Sequence, residues 1–246
     1  MLLPTRTEIF PMSNAPTPRR TFLSGAMAAA AAAALPTGLR AGENSRMAPD
    51  DWIDEVPGQH RCLFDFNAHK NGLPLLHILN YLNTYSAAYE TQAGQVGAAA
   101  TLYGIGGQSS IALGFDDTMW AKYELGTYLG LRDGAGRAYT RNVFRQPTAE
   151  DAHLLSDAMQ IPALPMFGGA IQALGIESLQ SMGTKFIMCN NALNAWTFEL
   201  EARGKGSQAA INEELRAHLL PGVTVVPAMV IAIEKGQEAG IRYNKQ

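Results

Sequence analysis

The chain has 246 residues, with 19 basic and 22 acidic side chains, a net charge of −3 and two cysteines. It carries no basic block, which argues against nucleic acid and anionic membrane surfaces as partners. Two cysteines are too few for a disulfide scaffold, and the length suits one domain with a substantial core behind a short leader.

The leader comes first. Residues 18–25 read PRRTFLSG, and a short apolar stretch from Ala26 to Leu35, mostly alanine, follows. Arg19 and Arg20 before Phe22 and Leu23 resemble a twin-arginine export signal, in which paired arginines precede a mildly apolar segment. The run is shorter than the roughly 20 residues that a bilayer span requires. Residues 1–41 are therefore read as an export signal and N-terminal extension, cleaved near Ala41, with a periplasmic or otherwise extracytoplasmic destination. The remaining 205 residues hold 15 basic and 21 acidic side chains, a net charge of −6.

Residues 42–59 are polar, contain Pro49 and Pro57, and read as an extended lead-in. HRCLFDF (60–66) predicts a strand with Cys62, Phe64 and Phe66 on one face. After a Lys-Asn-Gly turn, Leu75, Leu79, Leu82 and Tyr89 mark an amphipathic helix over 73–92. QVGAAATLY (95–103), small and apolar on both faces, suits the middle of a parallel sheet. A glycine-rich turn over 104–107 leads to helices near 109–114 and 116–130. Residues 131–165 hold five glycines and prolines and predict a long excursion with one short helix; such a loop is functional, an oligomer contact or mobile. Regularity returns with a helix over 167–181, the strand TKFIMC (184–189), and helices over 191–203 and 208–219. A strand VTVV (223–226), a helix over 228–239 capped by Gly240, and a short edge strand at IRYN complete the pattern.

Strands alternating with helices at this spacing predict one domain over 60–246, a flavodoxin-like three-layer α/β sandwich with a mostly parallel sheet. Ligands of such sheets bind beyond the carboxyl ends of the strands, where strand order reverses. That edge gathers Asn67 and His69, then Tyr103 and Gly104, then Cys189 and Asn190, and finally Pro227. Cys189 is the residue of interest, at the junction of a strand and a helix. Free N–H groups and the positive helix end favour an anion there, the setting in which thiols become nucleophiles. The competing reading is an inert cysteine filling a strand end.

KFIMCNNAL (185–193) and LLPGVTVVPAMVIAIEKGQEAGIRY (219–243) resemble the DsrE/DsrF-like family of small α/β proteins. The likeness extends more weakly over 61–130 and omits 131–165. It implies that Cys189 carries sulfane sulfur as a persulfide in a sulfur relay. It further implies a trimer or hexamer, a sulfur donor or acceptor protein as partner, and no cofactor. The characterised carriers are cytoplasmic, whereas this chain reads as exported. The alternative is a non-catalytic ligand-binding or assembly protein with the same fold.

The other candidates have plainer readings beside the functional one. Cys62, with Phe64 and Phe66 on the same strand face, reads as core, and an offset of about four residues along the strands argues against a disulfide with Cys189. His69 reads as a solvated loop histidine, or else as a group orienting or deprotonating a substrate near Cys189. Tyr103 and Asn67 share the edge without a motif of their own. In YGIGGQSS (103–110), Ser109 replaces the third glycine of a dinucleotide fingerprint. C-x-x-C pairs and phosphate loops are absent, and no metal site is read.

Overall fold

The structure, a computed structural model, describes residues 49–162 and 170–246. The export-signal reading and the start of the expected helix over 167–181 lie outside them. Five strands form one all-parallel sheet: β1 (His60–Asp65), β2 (Val96–Leu102), β3 (Thr184–Cys189), β4 (Val223–Val226) and β5 (Arg242–Lys245). Their order is β4-β3-β2-β1-β5, with helices flanking the sheet. In the flavodoxin order the first strand lies between the second and third; here β1 lies between β2 and β5.

Both faces of the sheet are buried, and strand alternation sorts the side chains between them. Cys62, Phe64, Ala98, Ala100, Leu102, Phe186 and Met188 enter the larger core on the first face. Leu63, Ala99, Ile187, Cys189 and Val226 enter a smaller core on the second. Such two-sided burial explains the small and apolar run of β2, interrupted only by Thr101, in which every residue is buried. The predicted face for Cys62, Phe64 and Phe66 is the observed one.

Topology decides which helix covers which face. The steps β1 to β2 to β3 to β4 all move the same way across the sheet, so right-handed crossovers keep their helices on one side. These are α1 (Leu73–Tyr89), α5 (Ile176–Ser181), α6 (Asn190–Ala202) and α7 (Gln208–Ala217), which bury Leu75, Leu179, Trp196 and Leu215 in the first core. The return from β4 to β5 runs the opposite way, and α8 (Met229–Glu238) lies on the second face with Met229 and Ala232 buried. Residues 49–59, expected as an extended lead-in, instead make a 3₁₀ turn over Asp51–Ile53. That turn places Trp52, 0 % exposed, in the second core beside Val56.

Between β2 and β3 the chain departs from its expected regularity. The helix predicted near 109–114 is a 3₁₀ turn, and the one over 116–130 is two: α2 (Asp117–Lys122) and α3 (Leu125–Leu129). Glu124, with φ +53, breaks them apart. The excursion beyond Leu131, with α4 (His153–Met159) within it, sends Tyr139, Val143, Phe144, Leu154 and Leu155 into the first core. Two polar residues pin it. Asn142 donates to the carbonyls of Leu113 (2.9 Å) and Phe115 (2.8 Å). Buried Asp151 accepts from Tyr139 (2.8 Å), Arg141 (2.6 Å) and the Thr148 N–H (2.7 Å). Over its described residues the excursion is a packed layer rather than a loose loop.

Candidate functional site

The carboxyl edge of the sheet has its reversal between β3 and β4. β3 is followed by α6 on the first face, and its neighbour β4 by α8 on the second. A crevice between adjacent strands whose helices leave to opposite sides is where parallel sheets bind ligands. Cys189 pairs with Val226 across that step.

Its sulfur has an unusual set of neighbours. Cys189 is the N-cap of α6, and Sγ accepts the N–H of Ala192 at 3.4 Å. Sγ also accepts the N–H of Met229, the first residue of α8, at 3.3 Å. Pro227 lacks an N–H, and the α8 N-cap, Ala228, has no side-chain acceptor. One sulfur therefore receives donors from the starts of two helices. The residue is 6 % exposed, so a reagent would need this edge of the sheet to open slightly.

The second face of the same edge holds a polar cluster beside the thiol. The register Leu102–Met188 places Tyr103 next to Cys189, and both pack with the second core. From β1, Asp65 points to this face and is 2 % exposed. It accepts from Tyr243 (2.7 Å) and Lys245 (2.8 Å) on β5, and from Thr101 (3.3 Å) on β2. Burial alone would raise this carboxyl, but hydrogen bonds from Lys245, Tyr243 and Tyr103 outweigh it and hold Asp65 low. Burial and the Asp65 carboxylate push Tyr103 up to about 12, so its hydroxyl remains a donor.

The loop after β2 is fixed to its neighbours. Gly104 has φ +97, and a Cβ there would stand 2.6 Å from the Asn67 carbonyl oxygen, so only glycine fits between the two edge loops. The Gly106 N–H donates to Glu199 of α6 (3.2 Å), which also accepts from Tyr128 (2.7 Å) and Arg203 (2.8 Å). The edge is thus built on rigid elements.

Cys189, Asn190, Tyr103, Gly104, Asn67 and Pro227 all lie on this edge, as the sequence implied. Asn67 is exposed, and its carbonyl accepts from Ser110 (3.1 Å). Asn190 accepts a hydrogen bond from Arg216 of α7. The solvated reading of His69 is corrected: the side chain is 1 % exposed, its Nδ1 accepts from the Asn71 N–H (3.0 Å), and it packs near Phe144 of the excursion. The excursion roofs what looked like an open loop. Phe144 belongs to the first core, whereas Cys189 faces the second.

Sequence reasoning missed Asp65, Tyr243 and Lys245. A signal was present: alternation in HRCLFD puts the acid opposite Phe64, and RYNK carries a tyrosine and a lysine two apart. The parallel pairing of β5 with β1 brings them together. The two cysteines are free and buried. Through the register Cys62–Ala98–Thr184, Cys189 lies five residues farther along than Cys62, about 16 Å at ~3.3 Å per residue, on the other face. No disulfide can bridge that separation. Among the described residues no group of three or more His, Cys, Asp or Glu side chains is placed to hold a metal ion, and no helix is long and apolar enough to cross a membrane. Comparison with family models, with curated proteins and with solved structures yields no match to this chain.

Proposed function

We propose that this chain is an exported DsrE/DsrF-like protein that handles sulfane sulfur on Cys189. The observation that carries the reading is the convergence of the Ala192 and Met229 N–H groups on Sγ. Those two N–H groups, from the starts of two helices, are placed to donate to Sγ and to a second sulfur attached to it. With thiosulfate, the Cys189 thiolate attacks the outer sulfur. A new S–S bond forms at Sγ, the S–S bond of the donor breaks, and sulfite leaves with the electron pair. The product is a Cys189 persulfide, which an acceptor thiolate can discharge by the same exchange.

The reading includes self-association, to a trimer or hexamer. Ile105, Val230 and Ile231 are apolar and at least half exposed around the carboxyl edge, a position where a second copy would cover them. Export through the twin-arginine leader belongs to the same proposal. Changing Arg19 and Arg20 to lysine should leave precursor in the cytoplasm, measured by fractionation; unaltered export would end the assignment.

One observation favours the alternative, a binding or assembly protein in which Cys189 only caps two helices: the sulfur is nearly covered. The experiment that separates the readings uses both cysteines. Cys62 has its thiol pushed up to about 11 by burial and should be inert. Native protein incubated with thiosulfate or polysulfide should gain the mass of one sulfur atom, lost in Cys189→Ser and kept in Cys62→Ser. Iodoacetamide at neutral pH should label Cys189 well before Cys62. Slow labelling at both positions until the protein unfolds, without a sulfur adduct from either donor, would make Cys189 a packing residue.

A further inference from the structure

An opening away from Cys189 lies on the other face of the sheet, and the proposal above makes no use of it. β5 packs on β1 and α8, and on the first face a groove of about 640 Å³ stays open between it and α1. Phe64 of β1 and Asn244 of β5 contribute to it, and α1 supplies a long flank, from Pro74 to Tyr89. Spacing explains the character of that flank. Tyr81, Tyr85 and Tyr89 recur every fourth residue, so their rings stand one above another along the helix. Centroids are 5.0 Å apart between Tyr81 and Tyr85, and 5.2 Å between Tyr85 and Tyr89. Phe64 meets Tyr81 edge-on at 5.5 Å.

We propose that this groove binds a small planar aromatic anion, of one or two rings bearing a carboxylate. Four observations support that class. The volume lies within the range of small-molecule sites, roughly 300–1,000 Å³. The aromatic ladder runs out into solvent at Tyr89, 69 % exposed, which leaves a ring face for stacking. The lining holds Lys70 and Lys245 and no Asp or Glu side chain, on a chain of net charge −3. Lys245 is engaged by Asp65, whereas Lys70 forms no ion pair among the described residues and is the charge left for a ligand. Asn80 and Thr84 on the flank supply further polar contacts. The wall thus offers one uncommitted ammonium group and no acidic side chain, which favours an anion over a cation.

The test titrates the full chain with 2-naphthoate, and in parallel with its neutral counterpart 2-naphthalenemethanol, following ligand fluorescence. The expected result is saturable sub-millimolar binding of 2-naphthoate. Tyr89→Ser, at an exposed position where folding is not at stake, should weaken both probes about fivefold through the lost stacking contact. Lys70→Gln should weaken 2-naphthoate about three- to fivefold and leave the neutral probe unchanged, as suits one partly solvated ion pair. Absence of saturation with 2-naphthoate, or binding that neither substitution weakens, would overturn the proposal. Because neither probe carries sulfane sulfur and neither residue lies near Cys189, this outcome is independent of the sulfur chemistry.

Discussion

Replacing Trp52 with alanine should lower the unfolding free energy by about 3–5 kcal/mol, the range for deleting a fully buried aromatic side chain. The expectation rests on where the residue sits. Trp52 is 0 % exposed and packs in the second core with Val56, Leu63 and Ile241. Across it lies Gly236 of α8, where an added Cβ would come 3.1 Å from the indole Cη2. The second core is small, and strands β1 to β4 contribute only Leu63, Ala99, Ile187, Cys189 and Val226 to its buried set. Little is available to collapse into the vacated space, so the cavity term should persist. Trp52→Phe should cost less, because the buried indole N–H has no hydrogen-bond partner and its removal relieves that debit. Urea unfolding of both variants provides the measurement. A loss below about 1 kcal/mol for the alanine variant would show that residues 49–59 lie on the fold without stabilising it.

Trp52 also marks the boundary of what the sequence made legible. Long segments with one period are legible: the strand TKFIMC has the bounds predicted for it, and Cys189 stands at the sheet edge where the pattern puts it. Their signals are local, since burial on both sides writes a continuous apolar run and a helix follows at once. Trp52 sits in three residues of 3₁₀ turn with no period to reveal it. Its burial depends on α8, which comes back to the second face only because β5 pairs beyond β1. Strand order is a long-range property, and neither β4 nor β5, at four residues each, carries a pattern that names its neighbour. The cluster around Asp65 is illegible for the same reason, as its partners Tyr243 and Lys245 are some 180 residues away. The excursion carries no regular pattern in the sequence, because its buried residues, Tyr139, Val143 and Phe144, follow no helical or strand spacing.

His69 gives the second large effect, and the excursion is its cause. Roofed by that layer, the imidazole is pushed down from its ordinary value to about 4, chiefly by desolvation of its charged form. The carbonyls of Gly107 and Leu129 pull the other way without compensating, and Nε2 closes no hydrogen bond of good geometry. Nδ1, meanwhile, accepts from the Asn71 N–H at 3.0 Å, which requires that nitrogen to be unprotonated. In the unfolded chain the same group titrates near 6.5. A histidine whose folded value is depressed contributes stability that is complete above the unfolded value. That contribution falls away as the pH drops toward the folded one, because the unfolded state then binds the extra proton. The protein should therefore lose about 2 kcal/mol between about pH 7 and pH 5 from this group, approaching ~3 kcal/mol near pH 4. Asp65, Asp151 and Glu199, all held low by their partners, weaken the fold only at more acidic pH and leave this window to the imidazole. His69→Asn keeps an acceptor for the Asn71 N–H and removes the titrating ring. It should be less stable at neutral pH, from the space left beneath Phe144, yet show a flatter decline toward pH 5. Urea midpoints at both pH values, for both proteins, decide the matter. An equal decline in the variant would mean that acid sensitivity arises elsewhere and that the imidazole under the excursion accepts its proton without cost.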